Sequence, residues 1–146
     1  MVRAKFRVME VSQMHNGQVT ILRLLPVYGK PPKGSALHEE PDACEENRKF
    51  WEATPSGEAK LTYQGFEQIP FTVGQCVFLD MVESPEGDWK LESVTSSSCM
   101  TVKFHRPWKD EFFRSGSLEM NIVNQEAWPS FQGKHQTSWS VVAHSA

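Results

Sequence analysis

The sequence predicts a mainly β protein: two small antiparallel β domains, sandwich-like or barrel-like, in tandem and related by a diverged duplication. Three observations predict it. Apolar and polar residues alternate over short runs, Gly and Pro turn signals separate those runs, and the order of features in residues 1–83 returns in residues 84–146. Each half amounts to about four strands and is marginal alone, so the halves are expected to share an interface or a continuous sheet.

Near the start, Ala4, Phe6 and Val8 alternate with Lys5 and Arg7, the period of a half-buried strand reaching Val11. His15-Asn16-Gly17-Gln18 then supplies a hairpin turn, because both central residues of a type I′ turn need positive φ and Asn-Gly tolerates it. Val19 to Tyr28 is rich in branched and large apolar residues and is expected to pair back. Gly29-Lys30-Pro31-Pro32 stops it, since Pro has no amide donor for the ladder. A long acidic loop over about residues 29–47 carries Glu39, Glu40, Asp42, Glu45 and Glu46. Thr54-Pro55-Ser56-Gly57 reads as a tight turn, after which Ala59, Leu61 and Tyr63 form one apolar face. Cys76 to Met81 is a denser apolar run and predicts a more deeply buried strand. Ser84-Pro85-Glu86-Gly87-Asp88 is the expected boundary between the halves.

Beyond that boundary the features repeat. Val8-Met9-Glu10-Val11-Ser12 is echoed by Leu91-Glu92-Ser93-Val94-Thr95, and Val19-Thr20-Ile21 by Met100-Thr101-Val102. The segment from Ser56 to Gly74 aligns without a gap onto Ser115 to Gly133, so the face Ala59, Leu61, Tyr63 reappears as Leu118, Met120, Ile122.

Composition narrows the function classes. The net charge of -3 and pI near 5.9 disfavour nucleic acid as partner, because phosphate binding needs an excess of Lys and Arg. No apolar run approaches the roughly 18 residues of a membrane span, and the first residues lack the apolar core of a signal peptide, so no membrane partner is expected. Cys44, Cys76 and Cys99 are odd in number and widely spaced, which fits neither a disulfide framework nor a zinc site.

Arg3-Ala4-Lys5-Phe6-Arg7-Val8, the stretch Glu46-Asn47-Arg48-Lys49-Phe50-Trp51-Glu52-Ala53-Thr54-Pro55-Ser56-Gly57, and Phe71-Thr72-Val73-Gly74 with Val77-Phe78-Leu79-Asp80 carry a resemblance. Together they resemble a family of small uncharacterised tailed-phage β proteins that begin with an Arg-Ala-Lys-Phe strand and carry an Ala-Thr-Pro-Ser-Gly turn. The likeness spans about residues 1–82, just over half of the chain, and implies a phage origin and a small β fold. The second half departs from it, with Arg114 where the turn motif has Thr-Pro.

Catalytic constellations are absent from the spacing. His15, His38, His105, His135 and His144 are scattered, with no pair placed to share a metal. Ser96-Ser97-Ser98-Cys99 lacks a neighbouring base and reads as turn chemistry. The acidic loop lacks the oxygen-ligand spacing of an EF-hand, and the glycines form no phosphate-cradling loop. No enzyme activity, cofactor or metal is therefore expected.

Aromatics are the remaining signal. Most of Trp51, Trp89, Trp108, Trp128 and Trp139 are expected in the core. Phe50, Trp51, Trp108, Phe112 and Phe113 are the candidate binding residues, since consecutive rings on a strand or turn cannot all face one way and exposed rings anchor interfaces. The expected function is that of a non-enzymatic, phage-encoded binding protein, a structural or assembly module such as a virion accessory or decoration protein. Its partner is then a phage structural protein or a host protein, with a homo-oligomer in view, and its place the host cytoplasm or the virion. Two alternatives are a stoichiometric inhibitor of a host enzyme or defence factor, and a single-stranded nucleic-acid-binding β domain, the latter for the rings interspersed with Lys and Arg.

Overall fold

The computed structural model describes residues 2–14, 16, 18–27, 45–64, 71–87, 89–98, 100–109, 113–124 and 141–145. The strands are β1 (Val2–Met14), β2 (Val19–Pro26), β3 (Pro55–Gln64), β4 (Cys76–Glu83), β5 (Trp89–Ser96), β6 (Thr101–Lys103), β7 (Gly116–Ile122) and β8 (Val141–Ser145). Helix α1 (Glu45–Glu52) lies between β2 and β3, and a 3-10 turn (Pro107–Lys109) between β6 and β7. All eight strands form one curled, half-barrel sheet in the order β6-β5-β4-β1-β2-β3-β7-β8. Neighbours are antiparallel except β7 and β8, which run parallel.

Alternation sets the buried face. Along β1, Val2, Ala4, Phe6 and Val8 are fully buried while Arg3, Lys5 and Arg7 lie on the other face. A register shift between Val8 and Glu10 inserts a bulge, after which β1 continues paired to Met14↔Val19. Asn16 sits at φ 57 in the β1–β2 turn, the conformation the Asn-Gly signal called for. The expected faces Ala59, Leu61, Tyr63 on β3 and Leu118, Met120, Ile122 on β7 are both buried. These two strands, read as counterparts from the sequence, pair with each other in the sheet, with Leu61 opposite Leu118.

The two halves are joined more closely than a pair of separate domains. Strands β4-β1-β2-β3 of the first half occupy the middle of the sheet, while β5 and β6 extend one side and β7 and β8 the other. The expected boundary, Ser84 onward, is the turn of the β4–β5 hairpin, where Gly87 has φ 92. A single buried cluster draws on both halves, from Phe6, Leu22 and Leu79 to Leu91, Phe104 and Leu118. Curling brings the far parts together: Phe104 forms an isolated bridge to Arg114, and its ring meets Tyr63 edge-on at 5.7 Å.

β4 is buried on both faces, as its dense apolar run implied. On the face away from the core, Arg3, Asp80 and Ser93 stand in one row across β1, β4 and β5. Arg3 donates to Asp80 through Nε (2.6 Å) and Nη2 (3.1 Å), and the Ser93 hydroxyl donates to the same carboxylate at 3.3 Å. Asp80 is only 7% exposed, and these donors supply hydrogen bonds that water cannot. Replacing Asp80 with Ala is expected to lower stability by about 2 kcal/mol, measured by denaturant unfolding, because Arg3 is left without its carboxylate.

Helix α1 was not anticipated within the acidic loop, and residues 28–44 lie outside the described residues. It buries Phe50, which meets Phe6 edge-on with centroids 6.3 Å apart, while Ala53, just past its end, is also fully buried. Two residues past its end stands Thr54, whose φ of 54 puts a β-branched residue in the left-handed region usually given to Gly. The amide of Thr54 donates to the Trp51 carbonyl, and its hydroxyl to the Glu52 carbonyl. The expected turn Thr54-Pro55-Ser56-Gly57 is instead the start of β3 at Pro55, with Gly57 at φ 67 where the register shifts between Ser56 and Lys60. Thr54→Gly is expected to raise stability by about 0.5–1 kcal/mol in denaturant unfolding, the relief of left-handed strain outweighing the greater freedom of Gly in the unfolded chain.

Candidate interface

The candidate rings separate into two groups. Phe50 belongs to the core and is fully buried, and Trp51 is half-buried against that core, edge-on to Phe50 at 4.7 Å. A helix accounts for this where a strand does not: consecutive residues on α1 diverge by about 100°, so Phe50 points inward and Trp51 flanks it. Lys49 in the last turn follows the helix dipole and is a signal of the helix end. Phe50 is thus a core residue and offers no surface to a partner.

Trp108 and Phe113 lie in the β6–β7 connection. Trp108 is half-buried in the 3-10 turn, and Phe113 is 42% exposed. Phe112 lies outside the described residues. The two groups occupy opposite ends of the β3–β7 pair: α1 leads into Pro55, opposite Ile122, whereas Phe113 precedes Gly116, opposite Tyr63. At about 3.3 Å per residue that separation is roughly 25 Å, so the two groups do not form one ring cluster.

The described ends of the β6–β7 connection are hydrogen-bonded to the sheet and to each other. The His105 amide donates to the Arg114 carbonyl at 3.1 Å, and the Gln64 amide to the Ser115 carbonyl at 2.9 Å. The Phe104 amide donates to the Glu92 carbonyl, and Arg106 forms an ion pair with the Glu92 side chain. Cations surround the rings: the Lys103 ammonium lies 5.9 Å from the centre of the Phe113 ring, and the Arg114 guanidinium lies 5.9 Å from that of Tyr63. Beside them opens a shallow cleft of about 300 Å³, lined by Val19, Thr62, Gln64, Ser115 and Ser117 with Tyr63 and Gly116. Its hydroxyl and amide groups can exchange hydrogen bonds with a visitor, and its size suits a side chain or short segment rather than a large ligand.

Other residues singled out from the sequence are placed as follows. Trp89 is in the core. Ser96 and Ser98 share a 2.9 Å hydroxyl contact in the β5–β6 turn, where the Ser96 hydroxyl also accepts from the Met100 amide. Cys76 is a half-buried free thiol on β4, and Cys44 and Cys99 lie outside the described residues. So do His15, His38, His135, Trp128 and Trp139. Among the described residues, no three His, Cys, Asp or Glu side chains converge on a common point, and no helix is long and apolar enough to cross a membrane. No protein family, curated protein or solved structure matches the chain.

Truncating the two groups should separate core from surface. Phe50→Ala is expected to cost about 3–5 kcal/mol in chemical denaturation, and Phe113→Ala less than about 1 kcal/mol, since only the former opens a cavity.

Proposed function

We propose that this chain is a non-enzymatic phage-encoded binding protein, a structural or assembly module that docks on a repeated virion surface. The observation that carries the reading is the β6–β7 connection, where exposed Phe113 and half-buried Trp108 stand among cations on a segment tied to the sheet on both sides. A fixed, partly apolar and charged surface loses little conformational entropy on binding, which is what an interface anchor requires. The resemblance of residues 1–82 to tailed-phage β proteins supports the phage setting.

Order along the chain also supports a duplicated origin. Strand, strand, helical turn, strand, strand occurs first as β1, β2, α1, β3, β4 and again as β5, β6, the 3-10 turn, β7, β8. On this reading the second copy kept the order while its strands came to flank the first copy.

A second reading, a single-strand nucleic-acid contact, is favoured by the Lys103 ammonium beside the exposed Phe113 ring alone. The acidic net charge weighs against it.

Mass spectrometry of purified virions tests the lead reading. The protein is expected at a stoichiometric multiple of a capsid or tail subunit, and W108A/F113A particles are expected to lose it while the free protein stays folded. Virions without the wild-type chain would sink the reading, and tight, steeply salt-dependent oligonucleotide binding would favour the second.

A further inference from the structure

Strand β1 is longer than the neighbour that pairs with it on one side. Val2 to Arg7 pair with Met81 to Cys76 of β4, and two further bonds continue that side: the Val8 amide donates to the Gln75 carbonyl (2.9 Å) and the Gly74 amide to the Val8 carbonyl (2.8 Å). The bulge between Val8 and Glu10 follows, and from Glu10 to Met14 the strand continues with β2 on its other side. Among the described residues, no backbone group bonds to Glu10–Met14 on the side that β4 has left. Alternate main-chain N–H and C=O groups of this stretch therefore point away from β2 along an open edge.

The stretch has the composition of an edge that accepts a strand. Sheet edges are ordinarily blunted by Lys, by Pro or by brevity. β6, at one border of the sheet, has three residues and ends in Lys103. Val11-Ser12-Gln13-Met14 holds neither charge nor Pro, and the Glu10 carboxylate already has the Arg23 guanidinium at 3.4 Å. Exposed apolar side chains frame the same edge. Met14 (49%) stands at its far end, Met9 (40%) at its near end, and Val73 (65%) beside Gly74, whose amide bonds to Val8.

We infer that this edge pairs with the same edge of a second copy, antiparallel about a two-fold axis at Ser12, so that two curled sheets join. Ser12 is the centre of the five open residues, and the pairing sets Ser12 against Ser12, Val11 against Gln13 and Glu10 against Met14 of the second copy. Paired residues match in face, since positions an even number apart share one side of a strand. No like charges meet, the two serine hydroxyls face each other, and Met14 of the second copy arrives next to Met9 at the Val73 end. One patch serves on both copies, as a closed two-fold contact requires. Five residues make a short ladder, so the pair is weak and reversible. This association goes beyond the virion reading and does not depend on it.

Sedimentation equilibrium of the full chain, with residue-resolved amide hydrogen exchange, tests this. Wild-type protein is expected to pass from monomer to dimer as concentration rises, and alternate amides of Glu10–Met14 are expected to exchange more slowly in the dimer. Ser12→Lys sets like charges directly opposite across the axis and is expected to weaken the dimer about tenfold, as is Ser12→Glu. An equimolar mixture of S12K and S12E is expected to regain association, because only in this register does position 12 face itself. Ser12 is half-buried, and circular dichroism checks that both variants fold. A wild-type chain that stays monomeric at every concentration overturns the inference, and slow exchange of Glu10–Met14 in that monomer shows the edge covered by its own chain. A dimer that S12K and S12E leave at wild-type strength overturns it too, as does a mixture that associates no better than either variant alone.

Discussion

A sheet with one apolar face must cover it, and among the described residues little besides the sheet does so. Among the described residues, α1, eight residues long, and a few connecting residues, Ala53, Phe71 and Phe104, join the strands at the core. Curling is the solution: the inward residues of β1, β2, β3 and β4 meet those of β5, β6 and β7, and Phe104 closes against Tyr63. Most other features follow from this. The bulges in β1, β3 and β5 sharpen the bend. Polar rows such as Arg3-Asp80-Ser93 tie neighbouring strands on the outside, where no second sheet stacks among the described elements.

The same constraint explains why two halves of about four strands do not stand apart. Either half alone would leave its inner face largely uncovered. Placing β5 and β6 on one flank of the first four strands and β7 and β8 on the other widens the sheet until it can wrap. The β3–β7 pairing, toward one side of the sheet, then joins segments read as counterparts from the sequence, and apolar side chains from both lie in one interior.

Much of the strand pattern was legible because period-two alternation is local. Ala59, Leu61, Tyr63 and Leu118, Met120, Ile122 could be assigned to a buried face without knowing their neighbours. Strand order could not, since it is decided by contacts such as Arg3 with Asp80, which lie 77 residues apart. The helix does not stand out in the sequence because Phe50-Trp51 reads as two adjacent rings on a strand or turn, and an eight-residue helix offers too few turns for its period to show beside the acidic run before it. Of the candidate site, the ring-bearing segment near Trp108 and Phe113 was legible from composition. The cleft beside it was not, being built from β2, β3 and the start of β7.

The strand order also bears on how the chain acquires its shape during synthesis. When the ribosome has released only the first half, β1, β2, β3 and β4 can already pair, yet the outer edges of β3 and β4 remain open until β7 and β5 arrive. β7 reaches β3 only after an intervening stretch that includes β4, β5 and β6, so closure is dominated by non-local pairing, which is slow. A nascent chain of this topology therefore passes through an interval with two unprotected sheet edges. The charged flank of β3, with Glu58 and Lys60 exposed, is the feature that discourages unwanted strand addition during that interval.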